Sequence, residues 1–395
     1  MVRFAHFADC HLGGWRQEEL QKVNFESFQK AVNIIIERGV DFLLISGDLF
    51  DSAYPAIETL KETFAEFKKI KEACIPVFLI AGSHDFSASG KTFLDVLEKA
   101  GFCKNIENFE VQEDGRIKLK PLILKEIAIF GYSGKKSSLE VEDLKKVYLD
   151  SVYPFTILMI HTTIKDVIGN LPIDYIETNK LPLANYYAMG HIHQVFEKQE
   201  GGSVFVYPGP IYPNNFQELV DLNYGSFEMI DISNGKIKTE NIKLKIKDVV
   251  FLEVELNNGL TATDKIIHEL DKLNLKDKII LLKLKGKLSQ GKTGDIRFNE
   301  IEAFILKKGC YSFLRNTSSL ESLELQINLE VEDSPNIEGK IVEEYIRKNP
   351  ADFNKFIPQI IEALAIEKNE DEKSNTFESR FLGELKKVLS LEEII

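Results

Sequence analysis

Residues 78–85 read FLIAGSHD, an apolar run that stops at a glycine and is followed at once by Ser83, His84 and Asp85. Apolar residues before a glycine are typical of a buried strand that ends in a turn. The polar triplet could open a helix, supply the nucleophile and base of a hydrolase, or belong to a metal site. A serine-hydrolase triad is disfavoured, because such triads are assembled from separated segments and not from adjacent turn residues.

Four other apolar runs end in the same way, and segments with helical spacing, Phe25–Arg38 and about Ala56–Ala73, lie between them. The runs are VRFAHFAD (2–9), VDFLLISGD (40–48), FTILMIH (155–161) and YYAMGHIH (186–193). Alternating strands and helices predict an α/β fold in which helices cover the sheets. In such folds the loops at the carboxyl ends of the strands converge on one crevice.

Imidazoles and carboxylates gather at these strand ends, and they predict a metal site. The residues concerned are Asp9, His11, Asp48, His84, His161, His191 and His193. In extended backbone, residues two apart point the same way, so the pairs D-x-H and H-x-H can each reach a common centre. Such donors suit zinc, manganese or iron. His6, inside a strand, and His268, on a helix, are interpreted as structural, which is the commoner role of a single histidine.

Composition indicates a globular chain of two or three domains, with 395 residues, 44% of them apolar. Four cysteines form no C-x-x-C pair, which predicts reduced thiols. No run approaches the roughly 18 apolar residues that span a bilayer. The start, MVRFAHFADCHLGG, is too polar for a secretory signal, so we expect a cytoplasmic protein without a membrane segment.

Charge is unevenly distributed along the chain. The net charge is −13, yet residues 236–316 contain 17 Lys and Arg against 11 Asp and Glu. Residues 317–395 contain 9 against 18. An acidic whole does not favour non-specific binding to nucleic acid, but metal ions or a local basic patch can still attract phosphates.

The pattern of elements divides the chain into three parts. Residues 1–245 form the predicted α/β core, and residues 246–332 a small α/β domain with the excess of basic residues. Residues 333–395 contain two segments with apolar residues at helical spacing, one around 353–364 and the other around 377–389. We expect these two helices to bury their apolar faces against a partner, or else against the core.

The order of the motifs resembles that of the calcineurin-like metallophosphoesterases. Those proteins have D-x-H, G-D, G-N-H-D, a single histidine and G-H-x-H in this order, and the present chain has FAHFADCHLG, ISGDLFDS, IPVFLIAGSHD, His161 and AMGHIH. These details, with VYPGP, are most similar to the DNA double-strand-break repair nucleases, the branch of meiotic recombination protein eleven and SbcD. The resemblance implies a layered metallophosphoesterase fold, a central β-sandwich flanked by helices, with a small α/β capping domain and C-terminal helices.

The resemblance also implies roles for the site residues. Asp9, His11 and His193 correspond to ligands of one metal, His161 and His191 to ligands of a second, and Asp48 to the bridge between them. His84 corresponds to the histidine that protonates the leaving oxygen. Ser83 stands where the family has an asparagine ligand, so it is an uncertain ligand of the second metal. The implied cofactors are two divalent ions, expected to be manganese.

The implied activity is that of a metal-dependent DNA exonuclease and endonuclease that processes ends in double-strand-break repair. The implied partners are double-stranded and single-stranded DNA, a coiled-coil SMC-like ABC ATPase of the SbcC type, and a second copy of the chain. Two alternatives remain open: a phosphodiesterase or phosphatase for small phosphoesters, and a weakly active scaffold subunit. The 150 residues beyond the core argue against the first, and the presence of His84 argues against the second.

Overall fold

A computed structural model describes residues 1–86, 92–150, 153–169, 172–322, 342, 346–347, 354–364, 366 and 374–388. By packing, the chain divides into two compact units. One comprises Met1–Glu255, Thr261–Lys285 and Arg297–Ser319, and the other comprises Leu256–Leu260, Gly286–Ile296 and Leu320–Ile395. Among the described residues, no helix has the length and apolar composition that a membrane crossing requires.

Eighteen strands are present in the described residues. In chain order they are β1 Val2–Phe7, β2 Phe42–Ser46, β3 Val77–Ile80, β4 Lys104–Asn105, β5 Phe109–Val111, β6 Ile117–Leu119, β7 Leu122–Leu124, β8 Ile127–Tyr132, β9 Val147–Tyr148, β10 Phe155–His161, β11 Tyr186–Gly190, β12 Val195–Glu200, β13 Ser203–Pro208, β14 Gly225–Ser233, β15 Lys236–Leu244, β16 Val249–Glu255, β17 Ile279–Leu288 and β18 Ser312–Ser322.

Helices alternate with these strands. In chain order they are α1 Glu18–Glu37, α2 Ile57–Glu72, α3 Leu94–Lys99, α4 Glu140–Leu144, α5 Lys165–Ile168, α6 Phe216–Leu222, α7 Ala262–Asp271 and α8 Phe298–Lys307. Two more helices, Ile357–Leu364 and Ser374–Val388, lie in the C-terminal part.

Two six-stranded sheets form the centre of the core. Their strand orders are β15-β14-β1-β2-β3-β4 and β12-β13-β11-β10-β8-β7. A buried cluster between them takes Phe4, Phe42 and Leu44 from the first sheet and Ile157 and Met159 from the second. Both faces of the inner strands are therefore buried, which explains their continuous apolar runs.

Outer layers cover the sandwich. Phe28 and Ile35 of α1 and Phe67 of α2 pack on the outer face of the first sheet, in one cluster with Leu43 and Ile45. A separate cluster covers the outer face of the second sheet and includes residues of α4. The predicted arrangement, a β-sandwich flanked by helices, is confirmed.

Two features of the fold differ from the sequence prediction. Helix α1 starts at Glu18, seven residues before the predicted start at Phe25. Its first turns bury Leu20 and Val23 in a second cluster, and these two residues continue the same buried stripe that packs on the sheet farther along the helix. The hairpin of β14 and β15, which adds two antiparallel strands beside β1, was not predicted at all.

Strands and helices occur in the region predicted as a small α/β domain, as a three-stranded sheet with helices α7 and α8. We call β16, β17 and β18, in that order, the small sheet. Strands β16 and β17 run parallel, with α7 as the connection between them. The boundary proposed at residues 332–333 lies outside the described residues, and the division into three domains stays a prediction.

The two C-terminal helices pack on each other. The rings of Phe377 and Phe381 stack at 5.9 Å, while Ile361 and Leu382 remain exposed. Of the apolar positions predicted for this region, residues 353 and 389 lie outside the described residues.

Histidine 6 on β1 is completely buried and should make the fold sensitive to acid. Its Nδ1 lies 3.0 Å from the Tyr186 hydroxyl oxygen. Burial lowers the pKa of His6 from 6.5 to about 3. Between these pH values the unfolded chain binds a proton that the folded chain does not, so stability is lost as the pH falls through this window.

We predict that the His6→Gln variant loses this acid sensitivity. Below about pH 6, the free energy of unfolding of the unmodified chain should fall, relative to the variant, by about 1.4 kcal/mol for each pH unit. Urea denaturation of both proteins at pH 7, 6 and 5 measures the difference. Parallel pH dependence of the two proteins would contradict the prediction.

Candidate metal centre

The carboxyl ends of five strands bring the predicted site residues together. Strands β1, β2 and β3 are parallel neighbours in the first sheet, and β10 and β11 in the second. The residues that follow or end these strands are Asp9 and His11, Asp48, Ser83 and His84, His161, and His191 and His193. Within the described residues, three groups of ligand atoms converge to within 4.8 Å: Asp9 with His11 and His193, Asp48 with His161 and His191, and His11 with Asp48 and His84.

The first group presents two imidazole nitrogens to each other. His11 donates its Nδ1 hydrogen to Asp51, at 3.0 Å, and His193 donates its Nδ1 hydrogen to Glu218, at 2.9 Å. An ionised carboxylate only accepts, so each Nε2 is left with its lone pair, and the two Nε2 atoms lie 3.1 Å apart. Two facing lone pairs repel unless a cation or a proton lies with them. The carboxylate of Asp9, 3.8 Å from His193 Nε2, completes a donor set that fits a divalent cation.

The second group also leaves an imidazole nitrogen available for a metal. His161 donates its Nδ1 hydrogen to the carbonyl oxygen of Ser46, at 2.9 Å, which leaves Nε2 as the free donor atom. This Nε2 is buried and lies 3.1 Å from Asp48 Oδ2, yet it makes no well-formed hydrogen bond. The ring of His191 lies 5.1 Å from that of His161. A buried, unpartnered imidazole nitrogen beside a carboxylate fits a second cation.

The electrostatics show how strongly the centre attracts positive charge. Burial disfavours charged imidazoles, yet Asp48 raises the pKa of His161 to about 10 and Glu218, with Asp9, raises that of His193 to about 9. Burial and the neighbouring His161 lower the pKa of His191 to about 4. Although burial opposes it, the pKa of Asp48 is lowered, chiefly by His161. Protons therefore occupy positions that metal ions would take, and metal binding would release them.

Several site residues have an unusual backbone. Asp9, His11, Asp48 and His191 all have positive φ, at 50°, 42°, 50° and 93°. Each such residue typically costs about 1–3 kcal/mol, and it persists only where the surrounding structure enforces it. Strain concentrated in the ligand loops is the pattern expected of a functional site.

Glycines make the close approach of these loops possible. A Cβ atom on Gly47 would collide with the ring of His161, and one on Gly82 with the carboxylate of Asp48. A Cβ atom on Gly190 would lie against the carbonyl oxygen of Ser46 and 2.8 Å from His161 Nδ1. Side chains at these positions would push the ligands apart.

Comparison with known proteins agrees with this geometry. Residues 2–195 match the family model described as calcineurin-like phosphoesterase. A relative named DNA double-strand break repair protein Mre11 from Methanococcus maripaludis is 30% identical over 73% of this chain and 84% of its own. The chain belongs to the Mre11 family of calcineurin-like phosphoesterases. Proteins of the same name from Archaeoglobus fulgidus (26% identical, over 99% of this chain and 88% of that protein) and Saccharolobus solfataricus (30%, over 68% and 71%) are also similar. The chain is thus a metal-dependent phosphoesterase of the hydrolase class.

The Ser83–Asp85 turn of this Mre11-family chain gives its three residues different roles. The backbone N–H of His84 donates to Asp48 Oδ1 at 2.8 Å, and the His84 ring donates from Nδ1 to the carbonyl of Asp51 at 2.9 Å. Asp85 is buried and accepts the N–H groups of Gly82 and Phe50, so it holds the turn. Burial, with the nearby Asp48, raises the pKa of Asp85 to about 7.

Carboxylates and carbonyls that orient the histidines were not found by sequence reasoning. They are Glu218, which holds His193, the Ser46 carbonyl, which holds His161, and Asp51, which holds His11. One sequence signal existed for Glu218. Asn215 caps α6 by accepting the Glu218 N–H, an N-x-x-E pattern that marks a helix start.

We predict that Ser83→Asn strengthens metal binding at the second group. Ser83 Oγ lies 3.4 Å from Asp48 Oδ2, a weak hydrogen bond, so its hydroxyl is poorly held as a donor. The side-chain oxygen of asparagine reaches further than the serine hydroxyl. The affinity of the second group for manganese, which we expect to be the weaker of the two, should therefore rise about tenfold, a change typical of losing or gaining one partner of a metal site. Calorimetric titration of both proteins measures it, with the exposed Ser52→Asn as control. If both metal positions of the unmodified chain bind manganese equally well and Ser83→Asn changes neither affinity, the serine hydroxyl already completes the second group.

Proposed function

We propose that the chain is a two-metal-dependent DNA exonuclease and endonuclease that processes DNA ends in double-strand-break repair. The observation that carries the proposal is the pair of convergent donor groups, one ending in facing His11 and His193 nitrogens and the other in the unpartnered nitrogen of His161. The relatives named Mre11 supply the substrate class.

In this proposal, the ligands divide as the donor groups do. Asp9, His11 and His193 hold the first metal; His161 and His191, with Ser83 or a water, hold the second. Asp48 contributes to both, since its Oδ2 lies 3.8 Å from His11 Nε2 and 3.1 Å from His161 Nε2. Oxygen and imidazole donors without thiolate suit manganese. When bound, the two cations would activate a water and neutralise charge on the phosphodiester.

His84 is proposed to be the general acid. Its side chain is 46% exposed, so it can meet a substrate, unlike the buried His161. Because its Nδ1 hydrogen goes to the Asp51 carbonyl, Nε2 is the position that can carry the second proton. From Nε2 the imidazolium would protonate the 3′ oxygen as it leaves the phosphate.

We predict that Asp48→Ala and His84→Ala separate metal binding from proton transfer. Asp48→Ala should weaken both metal positions and abolish cleavage. His84→Ala should keep both metals and lose about 10²–10⁴-fold in turnover, the usual contribution of a general acid. Calorimetry with manganese and cleavage of labelled double- and single-stranded DNA measure the two properties.

The competing functions give different results in the same assay. Efficient hydrolysis of p-nitrophenyl phosphates without DNA cleavage would indicate a phosphatase for small phosphoesters. Metal binding without either activity would indicate a scaffold. Equal loss of metal in Asp48→Ala and His84→Ala would overturn the roles assigned to these residues.

We also propose that the C-terminal helices bind a coiled-coil SMC-like ABC ATPase, and that the chain is a cytoplasmic homodimer. The apolar residues Ile361, Leu364 and Leu382 are 44%, 55% and 55% exposed on two helices that belong to the acidic region 317–395. Exposed apolar residues at helical spacing are the usual anchors of helix-to-helix recognition. The dimer and the cellular location rest on the family resemblance, and light scattering and cell fractionation test them.

We predict that Ile361→Glu combined with Leu382→Glu removes ATPase binding and leaves DNA cleavage by the chain alone unchanged. Charged residues on this face would have to be desolvated in the complex, which is costly. Affinity capture of the ATPase measures the effect, and Ile123→Glu, at a similarly exposed apolar residue of β7, is the matched control. Undiminished capture by the double variant would contradict the prediction.

A further inference from the structure

One short segment of the chain contacts both the metal centre and the small sheet. We call residues 212–220, from Tyr212 to Val220, the junction segment; it includes the N-terminal part of α6. We propose that the junction segment couples the position of the small sheet to the affinity for manganese at the first metal position, formed by Asp9, His11 and His193. The inference rests on the proposed function, because it assumes that His11 and His193 are ligands.

On one side, the junction segment holds the outer nitrogens of both histidines. Glu218 Oε1 accepts the Nδ1 hydrogen of His193 at 2.9 Å, and Glu218 Oε2 accepts the backbone N–H of Asn214 at 2.7 Å. The Asn214 side chain donates to Asp51 Oδ1 at 3.1 Å, and this same oxygen accepts the Nδ1 hydrogen of His11. The segment therefore fixes the direction of both facing Nε2 atoms.

On the other side, the segment is packed against the small sheet. Tyr212 and Leu219 are buried in one cluster with Ile279 and Leu281 of β17, and Phe216 and Val220 pack against it. The indole nitrogen of Trp15, in the same cluster, donates to the carbonyl of Pro213 at 2.9 Å. A closely packed interior transmits displacement, so a shift of β17 must be accommodated by this segment.

In the part of the chain that the structure describes, the hydrogen bond that orients His161 comes from the sandwich and not from the junction segment. His161 is oriented by the carbonyl of Ser46 at the end of β2, inside the sandwich. Its ring lies so close to Gly47 and Gly190 that a Cβ atom on either glycine would come within 3 Å of His161 Nδ1. Displacement of the small sheet should therefore act on the first metal position and spare the second.

Two adjacent leucines of β17 provide a matched test. Leu281 belongs to the cluster with the junction segment, whereas Leu282 points to the opposite face of the strand. Both are completely buried, so Leu281→Ala and Leu282→Ala remove the same atoms from a similar environment. Manganese affinity is measured by calorimetry in a His191→Ala background, which disables the second position.

We predict that Leu281→Ala weakens manganese binding at the first position about fivefold or more, as expected for coupling between sites. Leu282→Ala should leave it unchanged. Thermal denaturation verifies that both variants are folded, and Ile279→Val with Ile280→Val repeats the comparison with a milder change. Equal effects of the two leucine variants, or no effect of either on folded protein, would overturn the proposal.

A double-mutant cycle tests whether the coupling runs through the junction segment. Glu218→Gln keeps the shape of the side chain but removes its charge, and should cost about tenfold in affinity for manganese. Combined with Leu281→Ala, the loss should be smaller than the two separate losses multiplied; multiplicative losses would overturn the proposal. These titrations need no DNA. Failure of the unmodified chain to bind manganese would instead count against the proposed function.

Discussion

The burial of two carboxylates, Asp9 and Asp48, is the constraint on which the rest of the centre depends. Both are almost completely withdrawn from water, and an uncompensated buried charge is far more costly than any single contact can repay. The chain compensates with backbone hydrogen bonds from His191 to Asp9 and from His84 to Asp48, and with imidazoles around both. These partners lower the pKa of Asp48, and His161 and His193 carry protons at positions that cations would take.

Such a centre requires backbone conformations that residues other than glycine disfavour. Four residues of the candidate centre have positive φ, and glycines allow contacts that no side chain would permit. The stabilisation that offsets this strain comes from the sandwich, whose two sheets bury apolar residues on both faces. The strands are regular up to their last residue and are followed by tight turns. Each residue of the centre therefore has a fixed position. The outer hydrogen bonds of His11, His161 and His193 then fix the ring orientations, which a loop alone would leave free.

Sequence reasoning found residues that the fold brings together, because each follows or ends an apolar run of a buried strand, a local and strong signal. It failed where the outcome depends on distant partners. The first turns of α1 continue the buried stripe of the helix, but they pack on residues that are distant in the sequence, among them Tyr212 and Ile279. The β14–β15 hairpin turns at Asn234 and Gly235, both with positive φ, so the Asn-Gly pair was a usable signal that the prediction did not include. The role of Glu218 depends on a histidine 25 residues away and on the placement of α6, which only packing decides.

Electrostatics connects the metal centre with the substrate. A chain with a net charge of −13 repels a polyanion at long range, and the two buried carboxylates make the centre itself negative. In the proposed state, two divalent cations bring four positive charges to two carboxylates, so the same centre attracts phosphate. The cations would therefore serve binding as well as chemistry. Strand β17, which lies in the basic region 236–316, packs beside the segment that holds the first pair of histidines.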